Sequence, residues 1–486
     1  MKKYERYSAV LLLGLLLTLG GCGKRGESAE TPPRQFLPTG QIALMGDHIE
    51  CSDPNVRIDG AVVTVTAGGE YIVTGELNEG QLVVDTGETA EKVSLTLDNV
   101  TIRNSGDAAI HVLQADKVKL ILPEGSESTL ISGTEGMPLD QDANGAVVFS
   151  EDDLDIEGSG ALRICGYINN GITCKDDLTV QGGVITVTAA NNGLRGSESV
   201  RFEAGSVTIE AAGDGVKSTS AKKEGKGFVS VSGGELTVTA GGDGIEAATQ
   251  LLLSGGSVTV TTTGDPELGS SKGLKADGGI LIEGGSFTLS TTDHAIRSAG
   301  ELELRGGSFT LSSSMGRGIS ARGEIRISGE PELDINAIED GILTDTDLLI
   351  EGGTFRIASG EDGLHAGDSM TGEGTVTISG GSLLISAYQD SIDAKSHLYL
   401  YGGNVLAVGR SKSLKTFSVN STQPSVAVML SAPSHCDVTV SAGESVLGSM
   451  TSAYSFTQVL FSRSDLTAGT VCTVSANGES AEVTAK

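Results

Sequence analysis

Apolar residues alternate with Thr, Ser and charged residues in very short runs, and the runs recur at a fixed spacing. The phrase Gly-Gly-x-apolar-x-apolar appears as Gly182-Gly183-Val184-Ile185-Thr186-Val187, Gly233-Gly234-Glu235-Leu236-Thr237-Val238 and Gly255-Gly256-Ser257-Val258-Thr259-Val260. It returns at Gly284-Gly285, Gly306-Gly307, Gly352-Gly353, Gly380-Gly381 and Gly402-Gly403, with degenerate copies at Ala204-Gly205 and Gly329-Glu330. Successive copies start 22 or 23 residues apart, with three longer intervals of 28 or 29. A second phrase falls between them, at Asn170-Gly171-Ile172, Asn192-Gly193-Leu194, Asp214-Gly215-Val216 and Asp243-Gly244-Ile245. It continues through Lys272-Gly273, His294-Ala295, Arg317-Gly318, Asp340-Gly341, Asp362-Gly363 and Asp390-Ser391. A third short strand precedes each Gly-Gly, as in Ile280-Leu281-Ile282.

Period-2 alternation in three strands per repeat predicts a coil with apolar side chains inward and Thr, Ser and charged residues outward. One such turn buries almost nothing alone; stacking turns gives continuous interior columns. The expected fold is therefore all-β, a right-handed parallel β-helix whose rungs lie roughly 4.8 Å apart, so about 14 coils between residues 95 and 410 would span roughly 65 Å. Sequence before 95 reads as the initial coils, including Val62-Val63-Thr64-Val65 and Glu70-Tyr71-Ile72-Val73. After 410 the period stops, and strands such as Val426-Ala427-Val428-Met429-Leu430 predict a small β cap.

The N-terminus reads as an export signal: Lys2, Lys3 and Arg6, an apolar run from Ser8 to Thr18, then Leu19-Gly20-Gly21-Cys22. Small residues directly ahead of a cysteine resemble a bacterial lipobox, with a diacylglycerol expected on Cys22; an ordinary secretory peptide is the alternative. The apolar run is too short to span a bilayer. The expected organisation is a signal peptide over 1–21, a tether over 22–40, the β-helix over 41–410 and the cap over 411–486. The mature chain would then be a monomer held by lipid to the outer, extracytoplasmic face of a membrane.

Charge narrows the partners. With 33 basic and 63 acidic residues the net charge is −30, which argues against nucleic acid. Five cysteines remain besides Cys22, an odd number; Cys436 with Cys472 is the expected bridge, and Cys165 with Cys174 a further candidate across one turn.

The sequence resembles the carbohydrate-binding, calcium-binding β-helix family of bacterial surface proteins, whose fold is akin to family 9 polysaccharide lyases. The resemblance covers roughly residues 58–475. It rests on Gly69-Glu70-Tyr71-Ile72-Val73-Thr74-Gly75, Ser150-Glu151-Asp152-Asp153-Leu154-Asp155-Ile156, Asn170-Gly171-Ile172, Ser271-Lys272-Gly273-Leu274 and the stretch from Phe456 to Leu460-Phe461-Ser462. It implies binding of cell-wall polysaccharide, acidic or cellulose-like, with calcium and without established catalysis. Lys272, His294 and Arg317 depart from an otherwise acidic or amide column.

Phrases in register stack their first residues, one per rung. Asp214 with Asp243, and Asp340, Asp362 and Asp390 with Asp393 beside them, would bring carboxylates roughly 5 Å apart, a repulsion that a hard cation such as Ca²⁺ relieves. The alternative is turn chemistry, in which Asp or Asn before Gly bonds local backbone. Three positions after the ladder residue, Lys217, Glu246, Lys275 and Arg297 form an outward column, a candidate glycan face or a set of surface salt bridges. Tyr399 and Tyr401 point outward between Leu398 and Leu400, as a stacking platform or as residues under the cap. A lyase is the second reading, with Lys272 or Lys275 as the base beside calcium. A structural adhesin is the third. Three insertions, Ser218–Gly227, Gly264–Ser271 and Ala366–Gly374, are expected as loops at the solenoid's edges.

Overall fold

A computed structural model describes residues 39–486 apart from 141, 143, 144, 369 and 371. Cys22 and its lipobox lie outside the described residues. Among these residues strands dominate, with one short 3-10 turn at Gly87–Thr89.

Each coil has three strands, and the coil beginning at Ile342 shows why. Ile342–Thr344 lies on a 15-stranded sheet, here face A, that carries every copy of the second phrase and is parallel except where Val56–Asp59 meets Val62–Val65 at its start. Leu348–Ile350 lies on face B and Thr354–Ser359 on face C, with Gly352-Gly353 at the bend between them. The next coil repeats the pattern in register: Ile342 pairs with Leu364, Leu348 with Val376 and Thr354 with Ser382. The parallel β-helix read from the repeat is the observed fold.

The bend needs a glycine at its second position. Gly353 has φ +91°, a conformation that costs an L-residue energy, and a Cβ there would stand 2.9 Å from the Pro331 carbonyl oxygen. The first position needs no positive φ but is closely packed, a Cβ on Gly352 overlapping the Gly329 carbonyl oxygen; Ala204 takes this place before Gly205, whose φ is +95°.

Inside, equivalent apolar residues form columns. Phe287 and Phe309 stack at 4.9 Å between centroids, 14° from parallel, and Leu333 and Phe355 continue the same column. All four are buried.

The first strand, Thr39–Gly46, pairs in parallel with Gly69–Leu77, so strand pairing starts at the end of the segment read as a tether. Beyond Gly409 the pairing becomes antiparallel. Ser425–Ala432 and Phe456–Ser462 pair antiparallel, and the latter docks on Val405–Gly409. A four-stranded sheet, Asp437–Ala442, Ser445–Thr451, Val471–Ala476 and Glu479–Thr484, has its own apolar core around Val438, Phe461 and Cys472.

Both expected disulfides are corrected: the five described cysteines are free. Ser441 pairs with Thr473, which puts Cys472 near one end of its strand pair and Cys436 beyond the other. Six residues of strand at about 3.3 Å each place them about 20 Å apart, well outside bridging distance. Cys174 joins the interior core, whereas the Cys165 sulfur faces outward with Arg163, whose Nε donates to it at 3.4 Å. Opposite faces of the coil wall separate them.

Candidate ligand-binding face

The corner before face A is held by a ladder of backbone and side-chain bonds. Gly215 N–H donates to the Asp243 carbonyl, Gly341 to Asp362 and Gly363 to Asp390, so the first residues of the second phrase stack in one column. Their side chains reinforce it. Asp214 Oδ1 accepts the Asp243 N–H at 2.7 Å, Asp243 Oδ1 that of Lys272 at 2.8 Å, Asp340 Oδ1 that of Asp362 at 3.1 Å and Asp362 Oδ1 that of Asp390 at 2.9 Å. Asn192 and Asn170 do the same one and two coils before Asp214.

Lys272, His294 and Arg317 occupy the same column without breaking its backbone rungs. His294 Nδ1 takes over the acceptor role, receiving the Arg317 N–H at 3.0 Å. A lysine offers no acceptor, and His294 N–H turns to the neighbouring Asp293 carboxylate at 2.7 Å.

With Oδ1 committed to backbone, Asp214, Asp243, Asp340 and Asp362 keep the other oxygen for side-chain partners. In the first cluster these oxygens meet ammonium groups. Lys217 Nζ lies 2.7 Å from Asp214 and 2.5 Å from Glu246; Lys275 Nζ lies 3.0 Å from Asp243 and 2.5 Å from Glu246. Burial alone would lower both lysine pKa values, but the facing carboxylates raise them. Burial works to raise Glu246, yet the hydrogen bonds from Lys217 and Lys275 hold it below the usual carboxylate value. Lys275 is thus kept protonated, the opposite of what a general base needs. Lys272 is engaged with Asp293 at 2.5 Å and Ser270 at 3.1 Å.

In the second cluster Arg317 Nε lies 2.9 Å from Asp340 Oδ2, and His365 Nδ1 lies 3.0 Å from Asp362 Oδ2. The hydrogen bond to Asp362 raises the His365 pKa against its burial. Asp390 and Asp393 pair with Lys415 at 3.3 and 2.9 Å, and Asp393 also with Lys395 at 2.5 Å. Arg297 reaches Ser320 at 3.2 Å. In the Ser218–Gly227 insertion, Lys223 and Lys226 pair with Glu198, and Lys226 also with Asp177.

Two sets of potential ligands converge to within 4.8 Å: Asp214, Asp243 and Glu246, and Asp340, Asp362 and His365. The first is all oxygen, the donor chemistry a hard cation prefers, and the two ammonium groups hold the place of one. The second includes an imidazole nitrogen, which suits Ca²⁺ less well. Asp390 and Asp393 join neither set.

The tyrosines stand apart from this corner. Tyr399 and Tyr401 stack at 5.7 Å, 16° from parallel, and His397, which the sequence reading missed, stacks on Tyr399 at 5.2 Å and 5°. The signal was the same period-2 alternation, His397-x-Tyr399-x-Tyr401. Tyr401 is 44% exposed. The cap does not cover the row, because its strands pair with the later part of this strand, Val405–Gly409. Ser418 and Ser421 bond the strand's edge at the Leu398 and Leu400 N–H groups instead.

A family model described as carbohydrate-binding domain-containing protein matches residues 59–317 and 312–476, most of the chain. The chain belongs to this carbohydrate-binding domain family. A family relative from Acetivibrio thermocellus, itself described as a carbohydrate-binding domain-containing protein, is 33% identical over 186 residues, covering 37% of this chain and 64% of its own length. This member of the carbohydrate-binding domain family is also similar to the solved gadolinium derivative of a polysaccharide lyase-like protein from C. thermocellum. That likeness has 26% identity and a TM-score of 0.42, over 60% of this chain and 97% of the other.

Proposed function

We propose that the protein binds polysaccharide without cleaving it and that the His397, Tyr399 and Tyr401 row is its stacking platform. The observation that carries this reading is the row itself: three parallel rings in line on an open strand, in a chain whose family is carbohydrate-binding. Sugar rings present C–H faces that pack on aromatic faces, and a file of offset-stacked rings along a strand suits an extended neutral glucan. The charged corner supports binding over cleavage, because both lysines with the right placement for a base are bonded to carboxylates.

Calcium is a further part of the proposal. Asp214, Asp243 and Glu246 would hold it, with the Lys217 and Lys275 ammonium groups swinging out as it enters. The bound ion would supply positive charge to a face that otherwise repels acidic glycans. Lipid attachment at Cys22 would set the protein on the membrane surface, and Cys22→Ser would then move it from the membrane fraction to the soluble one.

Retention on insoluble glucan tests the reading. Tyr399→Ala and Tyr401→Ala should each weaken retention about 2- to 10-fold, the equivalent of roughly 0.5–1.5 kcal/mol per stacked ring. Unchanged retention in the double variant would remove the row from the binding face. Retention of an acidic glycan that is indifferent to a chelator would remove calcium.

A further inference from the structure

Face C meets water with a different chemistry from the other two faces. Its outward residues are almost all Ser or Thr, and the middle column is threonine in six successive coils: Thr186, Thr208, Thr237, Thr259, Thr288 and Thr310. Each pairs in register with the next. Ser257 and Ser286 flank the column on one side, Thr239 and Thr261 on the other. Across these six strands the only charges are Glu210 and Glu235, on a chain with 63 acidic residues. Exposure on a strand does not by itself select hydroxyls in this fold. Face B carries Glu303 and Arg326 outward, and face A carries Lys217 and Lys275.

Rungs repeat at about 4.8 Å and alternate residues along a strand at about 6.6 Å, so the hydroxyls form a two-dimensional grid. The β-branch of threonine restricts χ1, which gives hydroxyl and methyl one preferred orientation at every rung. The interior keeps the rungs aligned: Phe287 and Phe309, on the same strands as Thr288 and Thr310, stack 14° from parallel. Six strands of six residues make a face of roughly 29 by 20 Å, about 570 Å². That is less than the roughly 800 Å² per partner of a stable protein interface. No aromatic ring stands among its outward positions for a sugar to pack on. A hydroxyl donates and accepts as water does, so a regular grid of them matches a partner that is itself periodic and made of water.

We propose that the threonine array of face C binds ice. Water held by the hydroxyls and ordered around the methyls takes up spacings close to those of the oxygen lattice of ice, and merges with the crystal surface. The proposal goes beyond glycan binding and uses no residue of the tyrosine row.

Growing polycrystalline ice slowly from a dilute solution of the full chain tests it, with an acidic globular protein lacking such a face as control. The wild-type chain should enter the ice in excess of the control and keep small ice crystals from coarsening on annealing. Thr259→Lys combined with Thr288→Lys puts two ammonium groups in the middle of the grid. Ice uptake should then fall to the level of the control, while retention on insoluble glucan is unchanged. Thr259→Ser combined with Thr288→Ser removes only the methyls and should give intermediate uptake; this milder pair decides if the lysine pair lowers the unfolding midpoint. Exclusion of the wild type from ice, or uptake that survives the lysines, overturns the proposal and spares the tyrosine row. Loss of glucan retention in the lysine pair also overturns it, because face C would then be a glycan surface. Ice uptake without any glucan retention overturns the tyrosine row alone.

Discussion

Asp243→Ala should destabilise the protein by about 3–5 kcal/mol, because it strips partners from three groups at once. Asp243 is buried; its Oδ1 accepts the Lys272 N–H at 2.8 Å and the Ser270 hydroxyl at 2.6 Å, and its Oδ2 faces Lys275 at 3.0 Å. An alanine leaves a part-buried N–H unpaired and removes one of the two carboxylates that face the Lys275 ammonium. Asp243→Asn separates the two contributions. Asn already serves as the ladder acceptor at Asn170 and Asn192, so the backbone bond survives and only the ion pair is lost. Urea unfolding followed by circular dichroism should therefore rank wild type above Asn and Asn above Ala. If the alanine variant unfolds at the wild-type midpoint, the ladder is not what holds this corner.

The fold was legible because repetition made it so. A pattern that recurs every 22 or 23 residues carries its own register, and Asp214, Asp243, Asp340, Asp362 and Asp390 stack as that spacing requires. What each carboxylate meets was not legible. Lys217 follows Asp214 by three residues, but its second partner, Glu246, stands in the next coil, and Lys415 reaches back onto Asp393 from the chain beyond the last coil. Such pairings depend on where an insertion or a cap returns the chain, which no periodicity encodes. The cysteine pairing failed for a related reason. Sequence separation across Cys436 and Cys472 gave no strand register, and the antiparallel pairing of Ser441 with Thr473 puts them at opposite ends. His397 was readable by alternation alone, yet a histidine is not counted as an aromatic platform until it is seen stacked on Tyr399.

Stability should fall as pH drops below about 6.5, and His294 should account for much of the slope. Burial, with Arg317, Lys272 and Arg297 nearby, lowers its pKa to about 4, although Asp293 pulls the other way. The geometry agrees, since Nδ1 accepts the Arg317 N–H and must be unprotonated to do so. Above the unfolded value of 6.5 neither state carries the proton, and the neutral ring's contribution is fully present. Between 6.5 and about 4 the unfolded chain binds a proton that the folded chain refuses, so folding is penalised progressively as pH falls. At 1.36 kcal/mol per pKa unit the full loss is about 3 kcal/mol. His294→Asn retains an acceptor of the kind that Asn170 and Asn192 supply and removes the titration. Unfolding midpoints measured from pH 7.5 to 4.5 should thus decline more steeply for wild type than for His294→Asn, with carboxylate titration common to both. Parallel curves would mean that the imidazole accepts a proton in place, and that the Arg317 N–H gives up its bond without cost.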